Sequence, residues 1–130
     1  MRRWLRTFGP APLSDLKWWT GWTLAATRAA LAVVEAVAVD LPEGEGWVLP
    51  DDLDPVEPSE PWVALLPSLD PTSMGWKARD WYLDPDHVPA LFDYSGNIGP
   101  TVWADGRIVG GWGQGPDGVV GHRLLTDVGA

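Results

Sequence analysis

Residues 13–41 read LSDLKWWTGWTLAATRAALAVVEAVAVDL, and the fold of the first half of the chain is predicted mainly from this stretch. Its apolar spacing predicts a helix from about Leu13 to Trp19 and a second helix that ends near Glu35. Gly21 lies between them, where glycine readily adopts a positive φ. Thr23 is a favourable N-cap for the second of these helices. We therefore expect a helix-turn-helix.

The flanking residues extend this unit on both sides. Upstream, Trp4, Leu5 and Phe8 fall on one side of a short helix that Gly9-Pro10 ends. Downstream the apolar period changes from helical to alternating, with a turn at Pro42–Gly46, which predicts a β-hairpin. The strands carry these apolar residues: Val37, Val39 and Leu41, then Trp47 and Leu49. Three helices followed by a hairpin predict a winged helix over residues 1–50.

A proline-rich acidic segment separates this unit from the rest of the chain. Residues 51–61, DDLDPVEPSEP, have the composition of an extended, solvated linker. Residues 62–130 are then expected to form a small antiparallel β domain, either a meander or a partial barrel curled at Gly110, Gly111 and Gly113. The fold class predicted for the whole chain is therefore α+β.

Turn signals define the strands of the second domain. The pair Asp105-Gly106 is typical of a two-residue hairpin, and Ser95-Gly96-Asn97 and Pro116-Asp117-Gly118 predict further turns. Met74–Tyr82 is expected to be a short helix or a loop. The predicted strands are Trp62–Leu66 as a buried run, Ala90–Phe92, Thr101–Trp103, Arg107–Trp112 and Val119–Leu125.

The charge is distributed unevenly. The chain has a net charge of −9. Residues 1–39 carry +3, residues 40–62 carry −8 and the remainder carries −4. Because affinity for nucleic acid comes mainly from neutralising phosphates, contact with DNA is expected in the first third of the chain.

Several classes of site are excluded or disfavoured. Without cysteine there is no disulfide and no thiolate metal site. Asp84, Asp86 and His87 could supply three donors for a metal, but their position beside Pro85 is more typical of a turn. We predict no cofactor and no metal. The chain also lacks a signal peptide and an apolar run long enough to cross a bilayer, which predicts a cytoplasmic protein without membrane contact.

Three separated blocks resemble a known family. They are LRTFGPAPLSDLKWWTGWT, LLPSLDPTSMGWKARDWYL and GPTVWADGRIVGGWGQGPDG. From about Trp4 to Leu125 the chain resembles the C-terminal part of the winged-helix DNA-binding proteins that include DNA glycosylases acting on interstrand crosslinks and alkylated bases. The resemblance implies a role in DNA repair. It also implies catalysis by a Gln-x-Gln type motif, but this chain has a single glutamine, Gln114, so no catalytic residue is carried over.

The basic residues are the candidates for contact with DNA. In the first third of the chain they can touch the phosphate backbone, which would be independent of sequence. In the block Gly75–Tyr82, cations alternate with aromatic residues, a pattern suited to stacking on bases. It is also suited to a buried loop in which Arg79 or Lys77 pairs with a nearby acid and the tryptophans fill the core. We favour the buried loop. The candidates are Arg2, Arg3, Arg6, Lys17, Arg28, Lys77 and Arg79.

The third helix is poorly suited to sequence-specific contact with DNA bases. Leu24, Thr27, Leu31 and Val34 are expected to face inward, which leaves Ala25, Ala26, Ala29, Ala32 and Val33 outside. Small apolar side chains cannot hydrogen-bond base edges. This face is therefore expected to dock further winged-helix modules or a protein partner, and Glu43 and Glu45 in the hairpin turn would repel phosphate.

Three functions follow from these observations. The first is a DNA-associated scaffold module of a repair glycosylase, without catalytic residues of its own. The second is a protein-interaction module or truncated paralogue that has no affinity for DNA. The third and least favoured is a winged-helix transcriptional regulator, which would need a base-reading helix.

Overall fold

The computed structural model describes residues 1–129, which form two compact units. Unit 1 comprises Met1–Glu57 and the short segment Gly75–Lys77. Unit 2 comprises Pro58–Met74 and the chain from Ala78 onward. The architecture mixes helices with antiparallel sheets. No helix within residues 1–129 combines the length and the apolar character needed to cross a lipid bilayer.

Unit 1 contains three helices and three strands. Gly21 has a φ of 67° and ends the second helix. The Thr23 side chain accepts a hydrogen bond from the backbone N–H of Ala26 and caps the third helix, as its sequence position predicted. In chain order the elements are α1 (Arg2–Phe8), β1 (Ala11–Pro12), α2 (Leu13–Thr20), α3 (Leu24–Val33), β2 (Val37–Leu41) and β3 (Gly44–Val48).

The strands of unit 1 form an antiparallel sheet in the order β1-β3-β2. The predicted turn at Pro42–Gly46 is shorter than expected, because Leu41 already pairs with Gly44 and only Pro42 and Glu43 lie between the strands. Gly46 lies inside β3, where a side chain would collide with Leu41. This glycine therefore allows close packing of Leu41 and is not needed for the turn.

The core of unit 1 lies between the helices and this sheet. Its most buried side chains come from every helix and from the strands or their ends: Leu5, Ala11, Leu16, Thr27, Leu31 and Leu49. One inward position was predicted wrongly, since Leu24 is 41% exposed. Leu24 is the first residue of α3 and follows directly on its N-cap, Thr23.

Unit 2 is built on an open antiparallel sheet in the order β4-β5-β6-β7. The pairing of strands within residues 1–129 closes no barrel. The strands are β4 (Val63–Leu66), β5 (Thr101–Ala104), β6 (Arg107–Gln114) and β7 (Val120–Leu124), and between β4 and β5 lie α4 (Pro71–Met74), a 3-10 turn at Pro85–His87 and α5 (Val88–Leu91). The predicted hairpin at Asp105-Gly106 is confirmed, with φ values of 47° and 82°.

Two expectations for unit 2 were wrong. The run Trp62–Leu66 is not a buried strand: β4 is an edge strand, and Val63 is 72% exposed. The segment Ala90–Phe92 is mostly helical, because Val88–Leu91 continues the 3-10 turn. Pro89 occupies the first turn of this short helix, a position that tolerates the missing N–H. Only Phe92 forms a bridge, with Ile98.

Tyr82 and Trp103 form the centre of the unit 2 core. Tyr82 is fully buried, and its ring stacks on Trp103 with centroids 5.4 Å apart. The Tyr82 hydroxyl donates to the carbonyl of Ser73 at 2.9 Å. The indole N–H of Trp103 donates to Thr101 Oγ1 at 3.0 Å. Both aromatic residues thus satisfy their polar groups inside the core.

Candidate nucleic-acid interface

The arginines of α1 share one solvent-facing side of the helix. Arg2, Arg3 and Arg6 are exposed, whereas Trp4 and Leu5 are buried against the unit. Arg6 lies four residues after Arg2 and three after Arg3, so all three are neighbours on the helix surface. The structure therefore groups three of the seven candidate cations on a helix of seven residues.

The other candidate cations of unit 1 lie on separate elements. Lys17 is in the last turn of α2, Arg28 is near the middle of α3, and Lys77 belongs to the segment Gly75–Lys77. All three are exposed. No acid is found between residues 16 and 34, which leaves the cations of α2 and α3 without a carboxylate on the same stretch of chain.

Arg6 makes an ion pair with Asp51. The side chains are 49% and 60% exposed. The hydrogen bond from the Arg6 guanidinium is the main cause that lowers the pKa of the Asp51 carboxyl below its ordinary value of 3.8. A DNA phosphate therefore has to compete with Asp51 for the Arg6 guanidinium.

The outer face of α3 is apolar. Ala25, Ala26, Ala29 and Ala32 are all exposed, and Val33 is 82% exposed. Arg28 is the single charged residue of the helix. This face can contribute almost no hydrogen bonds to a ligand.

The tip of the β2–β3 hairpin is acidic. Glu43 and Glu45 are exposed there, and residues 50–61 that follow β3 and precede β4 are exposed throughout. Any nucleic acid bound to unit 1 has to avoid this acidic side, because like charges repel.

The block Gly75–Tyr82 is divided between the two units and does not form one site. Trp76 in unit 1 is 7% exposed and donates its indole N–H to the Phe8 carbonyl at 3.2 Å. In unit 2, Arg79 is half-buried with its guanidinium 5.2 Å from the centroid of the Phe92 ring. Trp81 is 46% exposed, so the expectation that the tryptophans of this block all fill a core was wrong.

The carboxylates of unit 2 serve turns. Asp84 caps the 3-10 turn by accepting from the N–H of Asp86, and Asp70 accepts from Thr72 in the same way. Asp93 accepts from the backbone and side chain of Asn97 and from Ser95, and these hydrogen bonds lower its pKa. Among residues 1–129 no cluster of three His, Asp or Glu side chains has metal-binding geometry.

The sequence interpretation missed a group of exposed tryptophans in unit 1. Trp18, Trp19 and Trp22 are 42%, 46% and 43% exposed, respectively. The signal was present in the segment KWWTGW, since three tryptophans within five residues at the end of a short helix cannot all point to one core.

Comparison with known proteins now defines the family. The family model of the AlkZ-like DNA glycosylases matches residues 1–130. The chain belongs to the AlkZ-like family. A solved structure, the DNA glycosylase AlkZ of Streptomyces sahachiroi, superposes on this AlkZ-like chain with a TM-score of 0.81 and 24% identity. The superposition covers 98% of this chain but 36% of that glycosylase, and at this identity it establishes the fold. No curated protein matches the chain.

Proposed function

We propose that this AlkZ-like chain is a DNA-associated module that holds duplex DNA by its sugar-phosphate backbone. The observation that carries the proposal is the group of exposed arginines on α1 in a chain whose net charge is −9. The membership in a family of DNA glycosylases supports it. Contacts of this kind position a protein on DNA but read no sequence.

The order of elements in unit 1 supports a winged helix. A helix-turn-helix formed by α2 and α3 leads into the β2–β3 hairpin, which takes the place of the wing. The short strand β1 pairs with β3 and ties the start of α2 to the hairpin. We place the phosphate contacts outside the wing, because its tip carries Glu43 and Glu45.

The proposed contacts come first from Arg2, Arg3, Arg6 and Lys17, and secondarily from Arg28, Lys77 and Arg79. Arg6 exchanges Asp51 for a phosphate oxygen when DNA binds, which is feasible because both partners are half exposed. Arg79 contributes least, since it is half-buried beside Phe92.

A second role is favoured by the outer face of α3. An exposed strip of alanines with Val33 at 82% exposure suits packing against another protein surface. The chain spans 36% of the length of the glycosylase that it matches. We propose that this face docks further winged-helix modules or a protein partner, so that the module acts as a scaffold.

We further propose that the scaffold has no catalytic residues of its own. The resemblance implies a motif with two glutamines, and Gln114 is the single glutamine of the sequence. In the structure Gln114 ends β6 and donates from its amide to the carbonyl of Gly118, so it is engaged in the β6–β7 turn.

Fluorescence anisotropy with a labelled DNA duplex tests the DNA proposal. We expect binding at low salt that weakens steeply as salt rises, with a slope of about −0.9 per phosphate contact. The variant that combines Arg2→Gln, Arg3→Gln, Arg6→Gln and Lys17→Gln is expected to lose most of this slope. The control is the pair Arg107→Gln and Arg123→Gln, which removes two cations of unit 2. Absence of duplex binding by the natural chain at low salt contradicts the proposal and leaves the protein-docking role.

A further inference from the structure

Three tryptophans form an aromatic surface on unit 1 that the backbone contacts proposed above do not use. Trp18 and Trp19 lie in the last turn of α2, and Trp22 follows Gly21 in the turn to α3. Each is between 42% and 46% exposed, although tryptophan is the largest side chain and is usually well buried. We call these three residues the tryptophan platform.

The platform is connected to the core by ring contacts. The ring of Phe8 packs edge-on against the buried Trp76 with centroids 5.1 Å apart. Phe8 also contacts Trp19 at 6.2 Å, and Trp19 contacts Trp18 at 6.4 Å. The exposed rings of Trp19 and Trp18 therefore lie at the end of an aromatic series that begins in the core, and Trp22 follows four residues after Trp18 at the turn.

The charges around the platform have one sign. Lys17 directly precedes it and Arg28 lies about one turn into α3, and both are exposed. The segment from Leu16 to Val34 has no acid, although the chain as a whole has twice as many acids as bases. An anionic partner is therefore favoured over a basic or neutral apolar one.

We propose that Trp18, Trp19 and Trp22 stack on unpaired nucleobases of a single-stranded nucleic acid segment, with Lys17 and Arg28 facing its phosphates. Aromatic rings combined with cations are the usual means of binding single strands, because every base has a π face. In a paired duplex these faces are stacked on each other and are not accessible. The tryptophan platform is therefore proposed to bind single strands, whereas the α1 arginines are proposed to bind duplex DNA. The inference rests on the proposed function in that both ligands are nucleic acids and that Lys17 and Arg28 contact phosphates in both.

The test uses the full chain and a labelled single-stranded oligonucleotide, with its matched duplex measured in parallel by fluorescence anisotropy. The double variant Trp18→Leu with Trp22→Leu removes two aromatic faces but keeps apolar bulk. We expect its affinity for the single strand to fall by about tenfold for each stacked base that is lost. Its affinity for the duplex is expected to remain within about twofold of the natural chain.

Trp62→Leu is the matched control, because Trp62 is also exposed, at 40%, but lies in unit 2 beside β4. This variant is expected to bind the single strand like the natural chain. The proposal is overturned if the double variant binds the single strand as tightly as the control, or if the natural chain does not bind it. It is also overturned if the platform mediates a dimer, seen in sedimentation as self-association that the double variant loses.

Nuclear magnetic resonance of the natural chain keeps the proposal testable if the double variant does not fold. The indole N–H signals of Trp18 and Trp22 are expected to shift on addition of the oligonucleotide, while that of Trp62 stays in place. Unchanged Trp18 and Trp22 signals at saturation overturn the proposal. Single-strand binding without duplex binding would contradict the α1 contacts alone, and duplex binding together with single-strand binding that is indifferent to the platform variants would contradict the platform alone.

Discussion

Each unit contains an aromatic cluster, and the two clusters differ in how far they extend towards the surface. In unit 2 the pair Tyr82 and Trp103 is buried, stacked and fully hydrogen-bonded. In unit 1 the aromatic series begins with buried residues near Trp76 but continues through Trp19 to the half-exposed Trp18. Similar residue types therefore form a closed cluster in the core of unit 2 and a series that reaches the surface in unit 1.

The contrast separates positions that matter for stability from positions available for binding. A buried ring stabilises its unit through the apolar area that it removes from water and through satisfied polar atoms. An exposed ring contributes less to stability and can contribute to recognition. The predictions below test this division, beginning with the largest expected effect.

Trp103→Ala is expected to have the largest effect. Trp103 is 3% exposed and packs on Tyr82, so the substitution leaves a cavity and should cost about 3–5 kcal/mol. Trp22→Ala in unit 1 should change the free energy of unfolding by about 0.5 kcal/mol or less, as is usual for surface positions. Urea denaturation of both variants measures the difference. If both variants lose the same free energy of unfolding, the exposed ring of Trp22 stabilises unit 1 as much as the buried ring stabilises unit 2, which contradicts the proposed division.

Tyr82→Phe tests the hydrogen bond inside the unit 2 core. The variant keeps the stacked ring but leaves the buried carbonyl of Ser73 without its donor at 2.9 Å. We expect a loss of about 1–3 kcal/mol, the cost of an unsatisfied buried acceptor. Tyr94→Phe is the matched control because Tyr94 is fully exposed, and its stability should not change. A stability equal to that of the control would mean that Ser73 finds another donor.

Thr23→Ala removes the N-cap of α3 in unit 1. The Thr23 hydroxyl accepts from the N–H of Ala26 at 3.2 Å, and loss of such a cap costs about 1 kcal/mol. Thr72→Ala serves as the control, since Thr72 is exposed in α4 and no capping role for its side chain is seen. The two variants are compared by thermal unfolding. If the two variants unfold at the same temperature, the Thr23 cap does not stabilise the start of α3, and the turn at Gly21 alone fixes it.

The smallest expected effect concerns the cause of the lowered pKa in two carboxyl groups, Asp51 and Asp93. A hydrogen bond from Arg6 is the main cause that lowers the pKa of Asp51 in unit 1, whereas hydrogen bonds from Asn97, Ser95 and neighbouring backbone lower that of Asp93 in unit 2. Both groups stabilise the fold above their ordinary pKa of 3.8, and this contribution disappears as the pH falls through the lowered value.

Carboxyl NMR titration tests this difference. In Arg6→Gln the pKa of Asp51 is expected to rise towards 3.8, while that of Asp93 stays low. Added salt should raise the pKa of Asp51 more than that of Asp93, because a solvent-exposed ion pair is screened. A pKa of Asp51 that does not respond to loss of Arg6 would mean that the backbone holds it, as in unit 2.

Local sequence signals predicted much of the fold. The cap at Thr23, the positive φ of Gly21 and the hairpin at Asp105-Gly106 depend on neighbouring residues, so they could be identified without a structure. By contrast, β1 has two residues and exists only because Ala11 and Pro12 pair with β3, more than thirty residues later in the chain. Such a pairing leaves no local periodicity to detect.

The site was predicted less completely than the fold. The sequence identified every candidate cation, because charge is visible in composition, but it could not pair Arg6 with Asp51 across 45 positions. The sequence also gave no means to distinguish Trp81 on the surface from Trp76 in the core. The two residues lie five positions apart in the same block of sequence, but they belong to different units.

The mixed helix and sheet character, the turns, the uneven charge and the outer face of α3 could be predicted from the sequence alone, because each follows from residue types and short spacings. The tertiary structure was needed to show which of the ten tryptophans are buried and which strands lie at the edges. Burial depends on residues that are distant in the chain, so the segment KWWTGW indicates that its tryptophans cannot all share one core but does not show that Trp18, Trp19 and Trp22 are each exposed.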